Sequence, residues 1–215
     1  FIRFKVEPNM LVTIPNTIST IDEYIASYSK KYRNRAKGIL KASSVLQKKR
    51  LAINELHLYC EEMCSLYLQV YNNAKFKLAC VTKDYFLEAF GSQKDLFYVD
   101  AWFLNGKMVS FASGFYLAHE LEAHYIGFDY SINKEYELYQ TILYSYIEEA
   151  IKVNKKQINL GRTASEIKST VGAKAHDLFC YIKPQNTVSR LILKPFMQFL
   201  QPTEWVPRNP FKEVE

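Results

Sequence analysis

The chain has 215 residues, of which 48% are hydrophobic and 23% are charged, and its formal net charge is +6. This composition is too apolar for a disordered chain, and the length suits one large globular domain or two small ones. The longest stretch without Asp, Glu, Lys or Arg covers residues 8–21, which is shorter than the roughly 18 apolar residues of a membrane-spanning helix. We therefore expect no membrane span.

The four cysteines indicate a reducing environment. Cys60, Cys64, Cys80 and Cys180 form no Cys-x-x-Cys pair, and the first two are spaced like core residues of a helix. Scattered free thiols argue against a disulfide scaffold. We expect a cytoplasmic protein.

The positive charge is concentrated in one segment. Nine Lys and Arg residues and no Asp or Glu occur between Lys30 and Arg50, whereas acidic residues outnumber basic ones in the rest of the chain. Such a segment suits a phosphate-bearing partner, namely a nucleic acid, a nucleotide-linked donor or a membrane surface. A solvated helix face explains the same charges equally well.

Residues 1–90 are predicted to contain two strands and three helices. Alternation predicts strands over 1–6 and 10–14. The capping box Thr20-Ile21-Asp22-Glu23 then opens an amphipathic helix, and the basic stretch 30–50 is interpreted as its cationic edge. Apolar residues at 3–4 spacing predict further helices over 54–71 and 83–90.

Three antiparallel strands follow. Residues 97–104 alternate between two faces, and Asn105-Gly106 is a strong hairpin signal because both turn positions need positive φ. Residues 108–118 form the returning strand, and a reversal at His119-Glu120 leads into a third strand over 121–130. The result is an antiparallel meander.

The C-terminal part is predicted to alternate between helices and strands. The elements, in chain order, are a helix over 135–153 capped by Asn133, a strand over 158–160 ended by Gly161, a helix opened by the capping box Thr163-Ala164-Ser165-Glu166 and stopped by Gly172, a strand over 176–182, a helix over 186–200 and a surface tail. We divide the chain into N-terminal strands with the basic helix (1–50), a core (51–183), and a C-terminal helix with a Pro-containing tail (184–215).

Several enzyme classes are disfavoured. The chain contains no Gly-x-Gly-x-x-Gly, no Walker A loop and no Gly-x-Ser-x-Gly elbow, which argues against dinucleotide oxidoreductases, P-loop NTPases and α/β-hydrolases. His119 and His124 are five residues apart, whereas the zinc-protease motif needs a spacing of four. We expect no metal.

The order of elements and one motif resemble a known family. The motif runs from Tyr125-Ile126-Gly127-Phe128-Asp129-Tyr130, through a long helix, to Ile158-Asn159-Leu160-Gly161-Arg162-Thr163-Ala164-Ser165-Glu166-Ile167-Lys168 and Val171-Gly172-Ala173-Lys174. Over residues 20–183 the chain resembles the FemAB-like, peptidoglycan-biosynthesis branch of the GNAT superfamily of N-acyltransferases. The stretch Tyr32-Arg33-Asn34-Arg35 resembles the basic helix of that branch.

The resemblance implies a fold and an activity. The fold is a mixed α/β sheet of GNAT type, with a central antiparallel meander flanked by helices, that splays apart between the strand ending at Tyr130 and the strand starting at Ile158. The activity is transfer of an acyl or aminoacyl group from acyl-CoA or aminoacyl-tRNA to an amine on a cell-wall or polysaccharide precursor or a metabolite. The alternative is a non-catalytic GNAT-fold module for binding or dimerisation, and a homodimer is compatible with either.

Candidate site residues follow from the resemblance. Asp129 and Tyr130, at the end of the third strand, are the candidates for orienting or deprotonating the amine. The residues expected to bind the cofactor's pyrophosphate are Ser131, Asn133, Lys134 and Arg162. The residues expected to bind substrate or tRNA are Glu166, Lys168, Arg33 and Arg35, although simple helix capping explains Glu166 as well. The Gln/Arg-x-x-Gly-x-Gly/Ala loop of ordinary acetyl-CoA enzymes is absent from the sequence.

Overall fold

The structure, a computed structural model, describes residues 1–74, 77, 80–93, 95–186 and 204–212. The strands are β1 (Ile2–Thr13), β2 (Gln47–Arg50), β3 (Phe97–Leu104), β4 (Lys107–Tyr116), β5 (Glu120–Phe128), β6 (Gln157–Asn159) and β7 (Lys174–Ile182). The helices are α1 (Ile21–Ala26), α2 (Lys30–Ser43), α3 (Ile53–Asn73), α4 (Lys83–Ser92), α5 (Tyr130–Tyr136), α6 (Leu138–Lys152) and α7 (Ser165–Ser169). The helix predicted over 186–200 lies almost entirely outside the described residues.

All the described strands belong to one mixed sheet. Its order is β2-β3-β4-β5-β6-β1-β7, and every neighbouring pair is antiparallel except β5 with β6. The predicted meander is confirmed as β3–β4–β5. Its first turn has the predicted positive φ, 50° at Asn105 and 80° at Gly106.

The N-terminal strand differs from the prediction of two strands. Residues 2–13 form one strand, β1, which pairs with β7 along one edge and with β6 through residues 11–13 along the other. A register shift between Val6 and Asn9 interrupts the β7 pairing. Pro8 lies in this interval and has no N–H to donate. The sequence therefore predicts two strands separated by a break at Pro8.

The sequence predicted that the basic segment belongs to one helix, and this prediction is wrong. The capping box at Thr20 is confirmed, but α1 ends at Ala26 and a new helix, α2, starts at Lys30. The last three basic residues, Lys48 to Arg50, lie on the edge strand β2, which pairs with β3. Strand β2 was missed because its four residues are polar and exposed and show no alternation.

Two further boundaries differ from the predictions. The helix predicted over 135–153 covers the end of α5 and all of α6. The two helices are separated at Glu137, whose φ of 50° is incompatible with a continuous helix. The predicted capping box at Thr163 is wrong, because Thr163 itself has φ 65° and α7 starts after Ala164 without a side-chain cap.

Helices cover the two faces of the sheet unequally. The face that we call the α6 face packs against α1, α2, α5 and α6, and its core includes Trp102, Leu121 and Phe128. The opposite face, the α3 face, packs against α3 and α4 over the meander. None of the helices in the described ranges is long and apolar enough to cross a bilayer.

Candidate functional site

The sheet opens between β5 and β6, at the predicted place. These strands pair only through residues 120–122 and 157–159. The chain after β6 then follows β1, because the Leu160 N–H donates to the Met10 carbonyl (2.9 Å) and the Met10 N–H donates to the Gly161 carbonyl (3.0 Å). Residues 123–128 of β5 therefore face a space that we call the β5–β6 gap.

The backbone of β5 presents polar groups to this gap. The Asp129 N–H donates to the Val109 carbonyl of β4 at 2.9 Å. Since successive residues of a strand direct their backbone groups to opposite sides, the N–H and C=O groups of Ile126 and Phe128 point away from β4, into the gap. Buried backbone groups need partners, so the gap suits an extended ligand that carries amide groups.

A carboxylate lies where the gap begins. Glu122 is half-buried on the last rung that joins β5 to β6, and its Oε2 accepts a hydrogen bond from Asn159 Nδ2 at 3.1 Å. Burial and then the neighbouring charge of Glu120 raise the pKa of the Glu122 carboxyl. Sequence reasoning missed this residue. Its alternation with Glu120 was visible, but its position beside β6 depends on a long-range pairing.

The predicted catalytic pair lies at the far end of the gap. The Asp129 carboxylate caps α5 by accepting hydrogen bonds from the Ser131 N–H (2.9 Å) and the Ser131 hydroxyl (2.6 Å). Tyr130 is 41% exposed, and partial burial raises the pKa of its phenol. The Tyr130 N–H donates to Gln69 Oε1 at 3.1 Å. Asp129 thus stabilises the start of α5, and Tyr130 presents its ring near the surface.

The other residues expected to bind the cofactor are divided between two places. Asn133 Oδ1 accepts a hydrogen bond from the Tyr139 N–H at 3.0 Å, which bridges the break between α5 and α6, and Lys134 is exposed in the last turn of α5. Helix α2, which carries Arg33 and Arg35, packs against α5. These four residues therefore lie on adjoining helices, whereas Arg162 lies beyond β6.

The loop at 161–164 is strained and is held by a buried lysine. Gly161, Thr163 and Ala164 have φ of 72°, 65° and 49°, and non-glycine residues rarely adopt such values. Lys168 Nζ donates to the carbonyls of Arg162 (2.6 Å) and Gly161 (3.3 Å). Burial lowers the pKa of Lys168 to about 7. By bonding two successive carbonyls, Lys168 stabilises the strained conformation of the loop.

Arg162 and Glu166, unlike Lys168, do not hold the loop at 161–164 through their side chains. Arg162 is exposed. Glu166 pairs with Arg208 of the C-terminal segment, at 2.5 Å between Oε1 and Nη2. The Arg208 N–H also donates a hydrogen bond to Ser169 Oγ (3.0 Å). Since Phe211 packs against Tyr24 and Tyr28, the segment 204–212 connects α7 to the core of the α6 face.

The basic segment divides into paired and unpaired charges. Lys48, Lys49 and Arg50 on β2 all form ion pairs. Within the described part of the chain, no carboxylate forms a salt bridge with the cationic residues of α2, which are Lys30, Lys31, Arg33, Arg35, Lys37 and Lys41. The α2 cations are therefore available to an anionic partner.

Arg50 is the centre of a cluster of buried charges. Its guanidinium contacts Asp100 (Nε to Oδ1, 2.5 Å) and Glu149 (Nη2 to Oε2, 3.0 Å), whose side chains are 4% and 6% exposed. Tyr116 Oη accepts from Arg50 Nη1 (2.8 Å) and donates to Glu149 Oε1 (2.5 Å). This cluster joins β2, β3, β4 and α6.

Across the described residues, no group of three or more His, Cys, Asp and Glu side chains is arranged to hold a metal ion. A cavity of about 610 Å³ does lie beside α3, lined by Cys64, Gln69 and Lys83 among others. Gln69 connects its wall to Tyr130. One residue of the cavity wall therefore contacts the chain directly after β5.

Comparison with known proteins identifies the fold. No protein-family model and no curated protein sequence matches the chain. Solved structures do: FemX (TM-score 0.59, 11% identity, 90% of this chain and 65% of that one), the C-terminal DUF2156 domain of a putative lysylphosphatidylglycerol synthetase from Agrobacterium fabrum (0.57, 13%, 91% and 66%), and L-PGS from Bacillus licheniformis (0.55, 12%, 94% and 67%).

These structures are similar to nearly all of this chain but are longer than it. The chain spans 65%, 66% and 67% of the lengths of FemX, the Agrobacterium domain and L-PGS, or about two thirds. The similarity covers at least 90% of this chain in each case. The chain has the GNAT/FemAB-like acyltransferase fold.

Proposed function

We propose that the protein is an N-acyltransferase that moves an acyl or aminoacyl group from acyl-CoA or aminoacyl-tRNA to an amine. The observation that carries the proposal is the opening of the sheet after the Glu122–Asn159 rung. The acceptor class is the amine of a cell-wall or polysaccharide precursor or of a related metabolite. The setting is cytoplasmic.

The gap supplies the chemistry that this reaction needs. The free backbone groups of Ile126 and Phe128 hold the extended arm of the donor, which fixes the acyl carbon beside β5. The acceptor amine attacks that carbon as its proton passes to Glu122. The bond from the acyl carbon to the sulfur of coenzyme A, or to the ribose oxygen of the tRNA, breaks, and the released thiolate or alkoxide takes up a proton from water. A raised pKa makes Glu122 a stronger base than an ordinary surface carboxylate.

The assay combines acetyl-CoA with a panel of aminosugars, amino acids and polyamines and measures release of free thiol. We expect the wild-type protein to consume the thioester with at least one amine. Glu122→Gln keeps the Asn159 contact within reach but cannot accept a proton, so kcat falls by roughly 100-fold or more. The rise of kcat with pH that reports this carboxylate disappears in the variant.

Glu120→Gln is the matched control. Glu120 lies two residues earlier on β5, and its Oε2 accepts from Gln157 Nε2 at 2.8 Å, as Glu122 accepts from Asn159. We expect this variant to keep its kcat within about threefold of wild type. Failure of the wild type to bind acetyl-CoA or to release thiol with any amine would exclude this CoA donor. If the protein also fails to retain tRNA, the alternative is favoured, a non-catalytic binding or dimerisation module.

A tRNA-borne donor is the second candidate, and the unpaired cations of α2 favour it. Helix α2 packs against α5, which starts where β5 ends, so a polyanion on α2 lies beside the gap. Exposed Lys and Arg side chains on one helix neutralise successive phosphates and release counterions. A partner of this kind makes the affinity depend steeply on salt.

Triple charge reversal at Lys30, Arg33 and Lys37 tests this donor. We expect the change to Glu to abolish retention of bulk tRNA on the immobilised protein. The slope of log affinity against log salt concentration becomes shallower by about one unit for each phosphate that the variant no longer neutralises. The same charge change at Lys107, Lys156 and Lys174, all exposed outside α2, leaves retention intact. Equal retention by both triple variants would exclude α2 as the surface.

A further inference from the structure

A β-bulge in β5 determines what faces the gap. Gly114 and Ala112 of β4 pair with Ala123 and Ile126 of β5, so Ser113 lies opposite two residues, His124 and Tyr125. Strand residues alternate in direction, and one inserted residue reverses the direction of everything that follows. Without the bulge, Ile126 and Phe128 would direct their backbone groups to β4 rather than into the gap.

The bulge leaves backbone groups that the regular ladder does not pair, and Ser113 pairs two of them. Its Oγ accepts from the Tyr125 N–H (3.0 Å) and donates to the Tyr125 carbonyl (2.9 Å). Ser113 is fully buried, so water cannot substitute for the hydroxyl. The Ser113 side chain therefore satisfies both backbone groups of Tyr125, which would otherwise have no partner in β4.

A second hydroxyl closes the bulge from the α6 face. Tyr146 Oη donates to the Ser113 carbonyl at 2.7 Å. Burial raises the pKa of the Tyr146 phenol, and a hydrogen bond from the backbone of His124 opposes that rise. The phenol is thus inserted between a carbonyl of β4 and an N–H of β5, where a ladder hydrogen bond would otherwise form.

The α3 face contributes a third partner through His124. Its Nδ1 is 3.2 Å from Ser113 Oγ, and its Nε2 is 2.9 Å from Tyr85 Oη of α4. Because the Ser113 proton goes to the Tyr125 carbonyl, Nδ1–H donates to Ser113 and Nε2 accepts from Tyr85. Burial lowers the pKa of His124 to about 4, which keeps the ring neutral at physiological pH in this arrangement.

We propose that Ser113, His124, Tyr85 and Tyr146 are positioning residues that hold the β5 bulge and so aim the backbone of Ile126 and Phe128 at the acyl donor. The inference rests on the proposed function. The four side chains connect α6 to α4 through the sheet, so both helical layers determine the shape of one wall of the gap. None of the four needs to touch the donor.

Ser113→Ala removes the central hydroxyl. We expect hydrogen exchange of the Tyr125 amide to accelerate by about 10- to 100-fold relative to the Phe111 amide on the neighbouring regular rung. In ¹⁵N NMR spectra, His124 loses its fixed Nδ1–H tautomer. Binding of acetyl-CoA weakens at least tenfold. Tyr85→Phe, which alters only the outer end of the network, changes the His124 tautomer signal with a smaller effect on Tyr125.

Ser110→Ala is the control, because Ser110 is equally buried on β4 and its Oγ is without a hydrogen-bond partner among the described residues. We expect it to change none of the three measurements. The inference is overturned if Ser113→Ala leaves both the Tyr125 exchange rate and the His124 signal as in wild type, or changes them without weakening donor binding. Absence of acetyl-CoA binding by the wild type would instead defeat the acyl-CoA form of the proposed function, and the exchange and tautomer measurements would still decide whether the network holds the bulge.

Discussion

Replacing Arg50 with alanine is expected to lower the free energy of unfolding by about 3 to 5 kcal/mol. The guanidinium is the main partner of two carboxylates, Asp100 and Glu149, that are almost completely buried. Once it is gone, the fold must keep both charges out of water without a strong partner or take up protons. Chemical denaturation at pH 7 measures the loss directly.

The pH dependence of the Arg50 variant distinguishes this cause from general damage. In the wild type, Arg50 and the Tyr116 hydroxyl outweigh burial and lower the pKa of Glu149. Its stabilisation is therefore complete above the unfolded value of about 4.5 and is lost as the pH falls through the lower folded value. In Arg50→Ala burial dominates and raises that pKa, so mild acid relieves part of the penalty.

Lys49→Ala is the matched control on the same strand. Lys49 pairs with Glu55 at the surface, where solvent screens the interaction. We expect its denaturation midpoint to stay close to wild type. A loss of similar size in both variants would show that any change on β2 disrupts the edge of the sheet, and would contradict the role of the buried cluster.

Gly172→Ala is expected to destabilise the protein by about 3 kcal/mol, because two penalties act together. The backbone at Gly172 has φ 95°, a conformation that favours glycine. A Cβ there would lie 2.6 Å from Tyr24 Oη and 2.7 Å from the Phe211 ring. Both tyrosines of α1 and its C-terminal turn, Tyr24 and Tyr28, donate to the Val171 carbonyl at 3.0 Å, so they cannot move away without breaking hydrogen bonds.

Gly38→Ala provides the opposite expectation for the same substitution. Gly38 lies in α2 with open space around it, so alanine gains helix propensity and stabilises by about 0.5 to 1 kcal/mol. Thermal melts of the two variants should shift in opposite directions. A melting temperature of Gly172→Ala equal to that of wild type would show that Tyr24 and Phe211 move away from a Cβ at this position without cost.

Local patterns predicted the elements that local physics determines. The Asn105-Gly106 hairpin, the Thr20 capping box and the apolar stripe of α3 each depend on residues within a few positions of one another. The features that failed depend on tertiary contacts. Glu137 breaks a helix that its neighbours favour. Strand β2 depends on pairing with the distant β3, where Arg50 contacts a buried carboxylate.

The candidate site was predicted in outline only. The splay between β5 and β6 follows from the resemblance, and the loop around Gly161 lies where the motif placed it. Glu122 and the Ser113 network were not visible, because the first requires the β5–β6 pairing and the second requires a bulge. A bulge changes alternation by a single residue, and in Ala123-His124-Tyr125-Ile126 the side chains are too mixed to reveal it.

The position of β1 between β6 and β7 has a consequence for synthesis on the ribosome. Strand β1 is made before all the other described strands, and its neighbours in the sheet, residues 157–159 and 174–182, are made much later. Contacts of such sequence separation form late, because chain closure must precede them. The meander and its helices can assemble while β1 is still an unpaired, partly apolar segment. The wall of the gap beyond β6 is complete only once β1 has paired with β6 and β7.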